Sequence, residues 1–181
     1  MIRNVLLWSA LGASMTAYGA QGTQWVVVKG AYTRFEDHAH VKDQAGWGLG
    51  YGGWCSDHFG VDLTLLRTQL KSTLPTATGT DYQHQFLGSV LFNFFPEGER
   101  VAPYFSAGMG ATETPRPFSD SGKQTIRANY HAGLGAQFRL GERWSLQLDS
   151  KYVRTTATRT RNDWVNTVGV GVAWGRTGWF W

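Results

Sequence analysis

Three things are scarce in this chain, and each scarcity removes a class of protein. Cysteine occurs once, at Cys55. No internal disulfide can hold the fold, and the residue is not placed as a lipid-modified N-terminus; it reads as a free thiol near a turn. Charged residues make up only 17% of the chain, low for a soluble domain, yet the mean hydropathy is −0.30. Past the N-terminus no stretch approaches the ~18 consecutive apolar residues of a membrane helix. A chain of this kind enters a membrane only as a closed barrel, because lipid cannot satisfy a free strand edge. Basic runs and nucleic-acid motifs are also missing. The formal charge of +4 therefore reads as Arg and Lys scattered over loops and interior, and nucleic acid is not an expected partner.

Glycine and aromatics are abundant: 23 Gly, 9 Trp and 14% aromatic residues in 181. Glycine at that density weakens helices, whereas aromatics suit strands and membrane interfaces. The first twenty residues form a secretory leader by pattern, with Arg3 as the basic start, a short apolar run from Val5 to Ala13, and small residues at Ala17 and Gly19 before cleavage. The expected division is a signal peptide over 1–20 and one domain over 21–181, about the size eight strands and their turns require.

The dominant signal is alternation with period two, repeated eight times. The segments run roughly over Gln24–Phe35, Ala45–Trp54, His58–Gln69, Tyr82–Phe95, Val101–Thr112, Thr125–Arg139, Arg143–Val153 and Asp163–Trp174. In the second, Trp47, Leu49 and Tyr51 alternate with glycines; in the last, Val168, Val170, Val172 and Trp174 alternate with Thr167, Gly169, Gly171 and Ala173. Val26, Val27 and Val28 blur the phase of the first, where Lys29 is assigned to the inner face. Long polar links (Glu36–Gln44, Lys71–Asp81, Glu113–Gln124, Thr155–Asn162) alternate with short ones (Cys55–Asp57, Pro96–Arg100, Gly141–Glu142). Outer-membrane barrels have long extracellular loops and short periplasmic turns. The expected fold is all-β: an eight-stranded antiparallel up-and-down transmembrane β-barrel in the outer membrane, without linker or second domain. Its outer face is Val, Leu, Phe, Tyr and Trp. Its narrow interior is filled by Gly, Ser, Asn, Gln and charge.

Thr167, Gly169, Val172 and Trp174 in the last segment resemble the C-terminal β-signal of outer-membrane barrels. Pro103, Tyr104, Gly108 and Gly110 look like a strand common in the outer-membrane protein A-like family. His131, Gly133, Gly135 and Phe138, followed by Glu142 and Trp144, are similar to that family's sixth and seventh strands. The resemblance covers nearly the whole mature chain. It implies an eight-stranded outer-membrane barrel and, through the β-signal, the barrel assembly machinery as a partner during insertion. The chain departs from the pattern by running on past Trp174 to Trp181, and a tether to the cell wall is not implied.

Candidate chemistry falls in the interior and the loops. Lys29, Asp62, Arg127, His131, Asp149 and Lys151 share the inner face, where charges need partners. Such a set forms either a packed ion-pair network that plugs the barrel or the lining of a narrow, gated pore. The Thr- and Arg-rich fourth loop, with Arg159 and Arg161, is expected to meet lipopolysaccharide phosphates by charge; outer-membrane lipid is the other expected partner. Barrel enzymes that modify lipid A need an activated Ser–His arrangement. The His-x-Ser triplet of the deacylases is absent, and His58, His84 and His131 lack that partner spacing, so no enzyme is expected. His38 and His40, beside Glu36, Asp37 and Asp43, have the composition of a metal site but read as a solvated loop. Gly48, Gly50 and Gly53 match a dinucleotide fingerprint by string alone, since no helix follows. No cofactor is expected. A structural or surface-interaction protein is the first reading of function; a transport or catalytic barrel, a narrow pore before a lipid A-modifying enzyme, is the second.

Overall fold

Alternation of side chains to opposite faces is a property of any extended strand; what it builds here is a closed cylinder. The computed structural model describes residues 22–35, 42–71, 80–95, 100–115, 124–156 and 161–175. The expected signal peptide, His38 and His40 with Glu36 and Asp37, Arg159, and the tail after Gly175 lie outside them. The strands are β1 (Thr23–Arg34), β2 (Gln44–Trp54), β3 (Phe59–Lys71), β4 (Thr80–Asn93), β5 (Val101–Thr114), β6 (Thr125–Arg139), β7 (Trp144–Thr155) and β8 (Arg161–Gly175). Each pairs antiparallel with its sequence neighbours, and β1 closes on β8 from Thr23↔Gly175 to Arg34↔Trp164. No helix among the described residues is long and apolar enough to cross a membrane; crossing is by strands.

At the loop end the ladders outrun the sequence-based segments. β3, β5 and β7 continue to Lys71, Thr114 and Thr155, and β4 and β8 begin at Thr80 and Arg161. The hydropathy pattern stops where lipid stops, but backbone pairing continues into water, where polar side chains are at no disadvantage. The fourth loop therefore shrinks to residues 156–160, shorter than the 94–100 turn between β4 and β5.

The outer face carries exposed Val, Leu, Phe, Met, Tyr and Trp. Phe59, Phe92, Phe94, Trp144 and Trp174 ring the turn end; Tyr32, Trp47, Tyr82, Tyr130, Tyr152 and Trp164 ring the loop end. Two aromatic girdles around an apolar band are what an interface on each side of a bilayer selects.

The interior corrects one expectation. It is not filled by small and polar residues alone: Trp25, Val27, Trp54, Leu91, Tyr104 and Ala173 pack together toward the turn end, and Ala31, Leu66, Leu87, Val153 and Val165 pack in a second apolar layer nearer the loops. Glycines on facing strands make the room. A Cβ at Gly52 would lie 2.6 Å from the Trp25 ring, and one at Gly60 would lie 2.5 Å from the Trp54 ring. A narrow barrel filled by its own side chains needs this pairing of large with small.

Candidate functional site

Between the two apolar layers lies a belt of charge. Lys29 on β1 extends over Gly50, a position where any Cβ would meet the lysine stem 2.8 Å away. Its Nζ is 3.5 Å from Asp62 on β3 and 3.4 Å from Asp149 on β7, and it donates to Thr64 Oγ1 at 2.9 Å. Lys151, two residues beyond Asp149, closes the square at 3.8 Å from Asp62 and 4.0 Å from Asp149. The four side chains are 0–4% exposed. Further hydrogen bonds reach three of the four carboxylate oxygens, and Asp62 Oδ1 has no hydrogen-bond partner among the described residues. Asp149 accepts from Tyr104 Oη at 2.6 Å and Thr167 Oγ1 at 3.1 Å, and Asp62 accepts from Thr64 at 2.6 Å. Two cations and two anions with added hydrogen bonds satisfy the condition under which buried charge is tolerated.

His131 sits beside this square rather than in it: its Nε2 is 2.9 Å from Ser89 Oγ, which Lys151 also approaches at 3.4 Å. Sequence spacing could not reveal this serine–histidine contact, because Ser89 is on β4 and His131 on β6, with β5 between them; the register Ser89↔Gly108↔His131 joins them across a glycine. His131 Nδ1 has no partner among the described residues, so no acid orients the ring. Arg127 does not join the belt. It follows the inward phase of β6 but lies near the strand's loop end, where the wall no longer covers it, and it is exposed.

Above the second apolar layer the interior is lined by amides and hydroxyls. Asn129 Nδ2 donates to Thr112 Oγ1 at 2.9 Å, and Thr33 meets Thr68 at 3.5 Å. Gln83 accepts from Arg161, whose guanidinium forms a bidentate pair with Asp163 and lies 4.7 Å from the Phe35 ring centre. Arg161, expected in the fourth loop, is thus the first residue of β8 and turned onto the barrel mouth.

The sequence profile of the outer membrane protein beta-barrel domain matches residues 5–175. The chain belongs to that family. No curated protein matches it. Among solved structures of outer-membrane barrels, it is similar to the N-terminal β-barrel domain of Pseudomonas aeruginosa OprF (TM-score 0.60, 17% identity, covering 85% of this chain and 100% of that one). It is similar also to Ail, the attachment invasion locus protein of Yersinia pestis (0.59, 18%, 85% and 99%), and to Neisserial surface protein A (0.62, 14%, 84% and 98%). At these identities the likeness is one of fold. Family and fold together place this barrel in the outer membrane.

Within this outer-membrane barrel the residues of the β-signal pattern divide by face. Thr167 and Gly169 point inward, the first bonded to Asp149 and the second packed on Val27 and Lys29; Val172 and Trp174 point outward. All four lie on β8, the strand whose pairing with β1 closes the cylinder.

Proposed function

We propose that this protein is a sealed outer-membrane scaffold with a structural or surface-interaction role, its extracellular loops supplying the contacts. The observation that carries the reading is the Lys29–Asp62–Asp149–Lys151 square, buried to 0–4% between two apolar layers. An ion crossing the lumen would have to part charges already paired in a medium of low dielectric constant, and breaking such pairs is costly. Planar-bilayer recording of the folded chain is expected to give a silent membrane at neutral pH. Regular unitary openings from the unaltered protein would replace this reading with the second one, a narrow pore. That alternative draws its support from the buried amides of Gln83, Gln85 and Asn129, each with an atom lacking a protein partner among the described residues, because polar lumen groups of this kind hold water.

The same burial argues for a non-enzymatic protein. Ser89 and His131 are 4% and 5% exposed, enclosed by the barrel wall, and among the described residues the ring has no orienting acid of the kind an acyl-transfer nucleophile uses. Release of fatty acid from lipid A by the folded chain would overturn this. The barrel assembly machinery is the partner the β8 pattern implies. For lipopolysaccharide contact by the fourth loop, Arg161 is a poor candidate because Asp163 already neutralises it; the reading rests on Arg159.

A further inference from the structure

Between its girdles an outer-membrane barrel presents apolar groups to lipid, and β8 departs from this at one place. Going toward the loops, its outward residues are Trp174, Val172, Val170, Val168, Asn166 and Trp164. Asn166 thus sits one outward position below the loop-end girdle, roughly 5 Å deeper along a tilted strand. Its neighbours across the two ladders are Ser150 on β7 and Tyr32 on β1. Ser150 Oγ donates to Asn166 Oδ1 at 2.8 Å. The other half of the exposed amide has no partner among the described residues, and an unpaired amide N–H facing hydrocarbon is costly. That depth is where the ester and amide linkages of acyl chains begin.

The rows above continue the pattern. Trp164 and Tyr152 make an edge-to-face pair with ring centres 5.5 Å apart, and Arg34 is the other cross-strand neighbour of Trp164. Arg154 lies one row higher, opposite Asn162. Both arginines point outward and are exposed, and no carboxylate among the described residues pairs with either. They stand on the two strands that flank β8, two strand spacings and one row apart, about 12 Å between backbones. Below Asn166 come Val168 and Leu148, apolar and exposed.

We infer that the outward strip of β7, β8 and β1 is a binding site for one phosphorylated saccharolipid of the lipid A class. Arg34 and Arg154 take the phosphates by charge-assisted hydrogen bonds. The Tyr152–Trp164 pair carries the sugar at the interface. Asn166 and Ser150 bond the acyl linkages, and Val168 and Leu148 receive the chains. Two separated cations call for two separated anions, which a disaccharide phosphorylated at each end supplies and a glycerophospholipid with a single phosphate does not. The inference rests on the outer-membrane scaffold reading and adds to it the lipid and the residues that hold it.

The test is native mass spectrometry of the full mature chain folded in detergent, with lipid A and phosphatidylglycerol added at equal concentration. Gel mobility before and after boiling is checked first, so that a chain failing to fold counts against the barrel and not against the site alone. The expected result is one retained lipid A per barrel in preference to phosphatidylglycerol. The Arg34→Gln/Arg154→Gln pair is expected to retain lipid A about tenfold or more weakly, and Ser150→Ala/Asn166→Val to weaken it while leaving gel mobility unchanged. Arg67→Gln, on β3 where the guanidinium lies 3.9 Å over the Tyr82 ring, is expected to behave as the unaltered chain. Equal retention of the two lipids, or lipid A retention unaffected by the Arg34/Arg154 pair, would overturn the site. So would a dimer that separates on Asn166→Val, because a second copy would then be what covers the strip.

Discussion

Two belts of the same lumen handle polarity in opposite ways. In the central belt every charged group has a counter-ion, and Asp149 alone faces Lys29, Lys151, Tyr104 and Thr167. Asp62 Oδ1, on a carboxylate already paired through Oδ2, and His131 Nδ1 beside the square have no hydrogen-bond partner among the described residues. In the belt nearer the loops, Gln85 has both ends of its amide without a protein partner among the described residues, and Gln83 and Asn129 each have one such end. The difference follows from what an unpaired group costs. A buried charge without a counterion is so unfavourable that the surrounding strands must supply one. A neutral amide is satisfied by a single water, so its neighbours are less constrained. On the proposed scaffold reading the central belt is the seal and the upper belt its hydrated approach.

The sharpest way to break this contrast is to remove the cation at its centre. Lys29→Met would leave Asp62 and Asp149 sharing Lys151 alone, at 3.8 and 4.0 Å. The expected loss is about 3–5 kcal/mol, read from the urea midpoint of the chain folded in lipid vesicles. A change below about 1 kcal/mol would mean that the square is not the tightly coupled unit its geometry describes. A smaller effect is expected from Gly50→Ala. The new methyl would press on the Lys29 stem and lie 3.2 Å from its Nζ, shifting the ammonium without removing it, at about 1–3 kcal/mol. Combining it with Lys29→Ala separates the two causes. Most of the Gly50→Ala cost should disappear once the stem is gone, a coupling that a double-mutant cycle measures directly.

Sequence pattern revealed much of this arrangement and missed the rest for identifiable reasons. Period two assigned the inward phase to Asp62, Asp149 and Lys151, and alternation at Gly48, Leu49, Gly50 and Tyr51 oriented β2. That parity is a local property of any strand. Which inward residues share a level is not local: it depends on the stagger between strands, and so the Ser89–His131 contact across β5 could not be read from the chain. Apolar residues were the other blind spot. Leu66, Leu87, Trp25 and Trp54 look as suited to lipid as Leu65 or Trp47, and only their phase and the glycines facing them mark them as interior. Arg127 shows the reverse error. Correct parity does not bury a side chain where the wall ends.

The smallest effect is expected in the upper belt, and it bears most directly on the contrast. Gln85 is 2% exposed, next to Leu66 on β3 and Thr112 on β5. If its amide is served by water alone, Gln85→Leu removes two groups that no protein atom depends on and keeps nearly the same volume. Stability should then change by less than about 1 kcal/mol. Hydrogen exchange of the β4 and β5 amides near Thr112 should also slow, because an apolar side chain displaces the water that local opening needs. A loss as large as that from Lys29→Met would show that the amide belt is as tightly paired as the ionic one, leaving no hydrated approach above the seal.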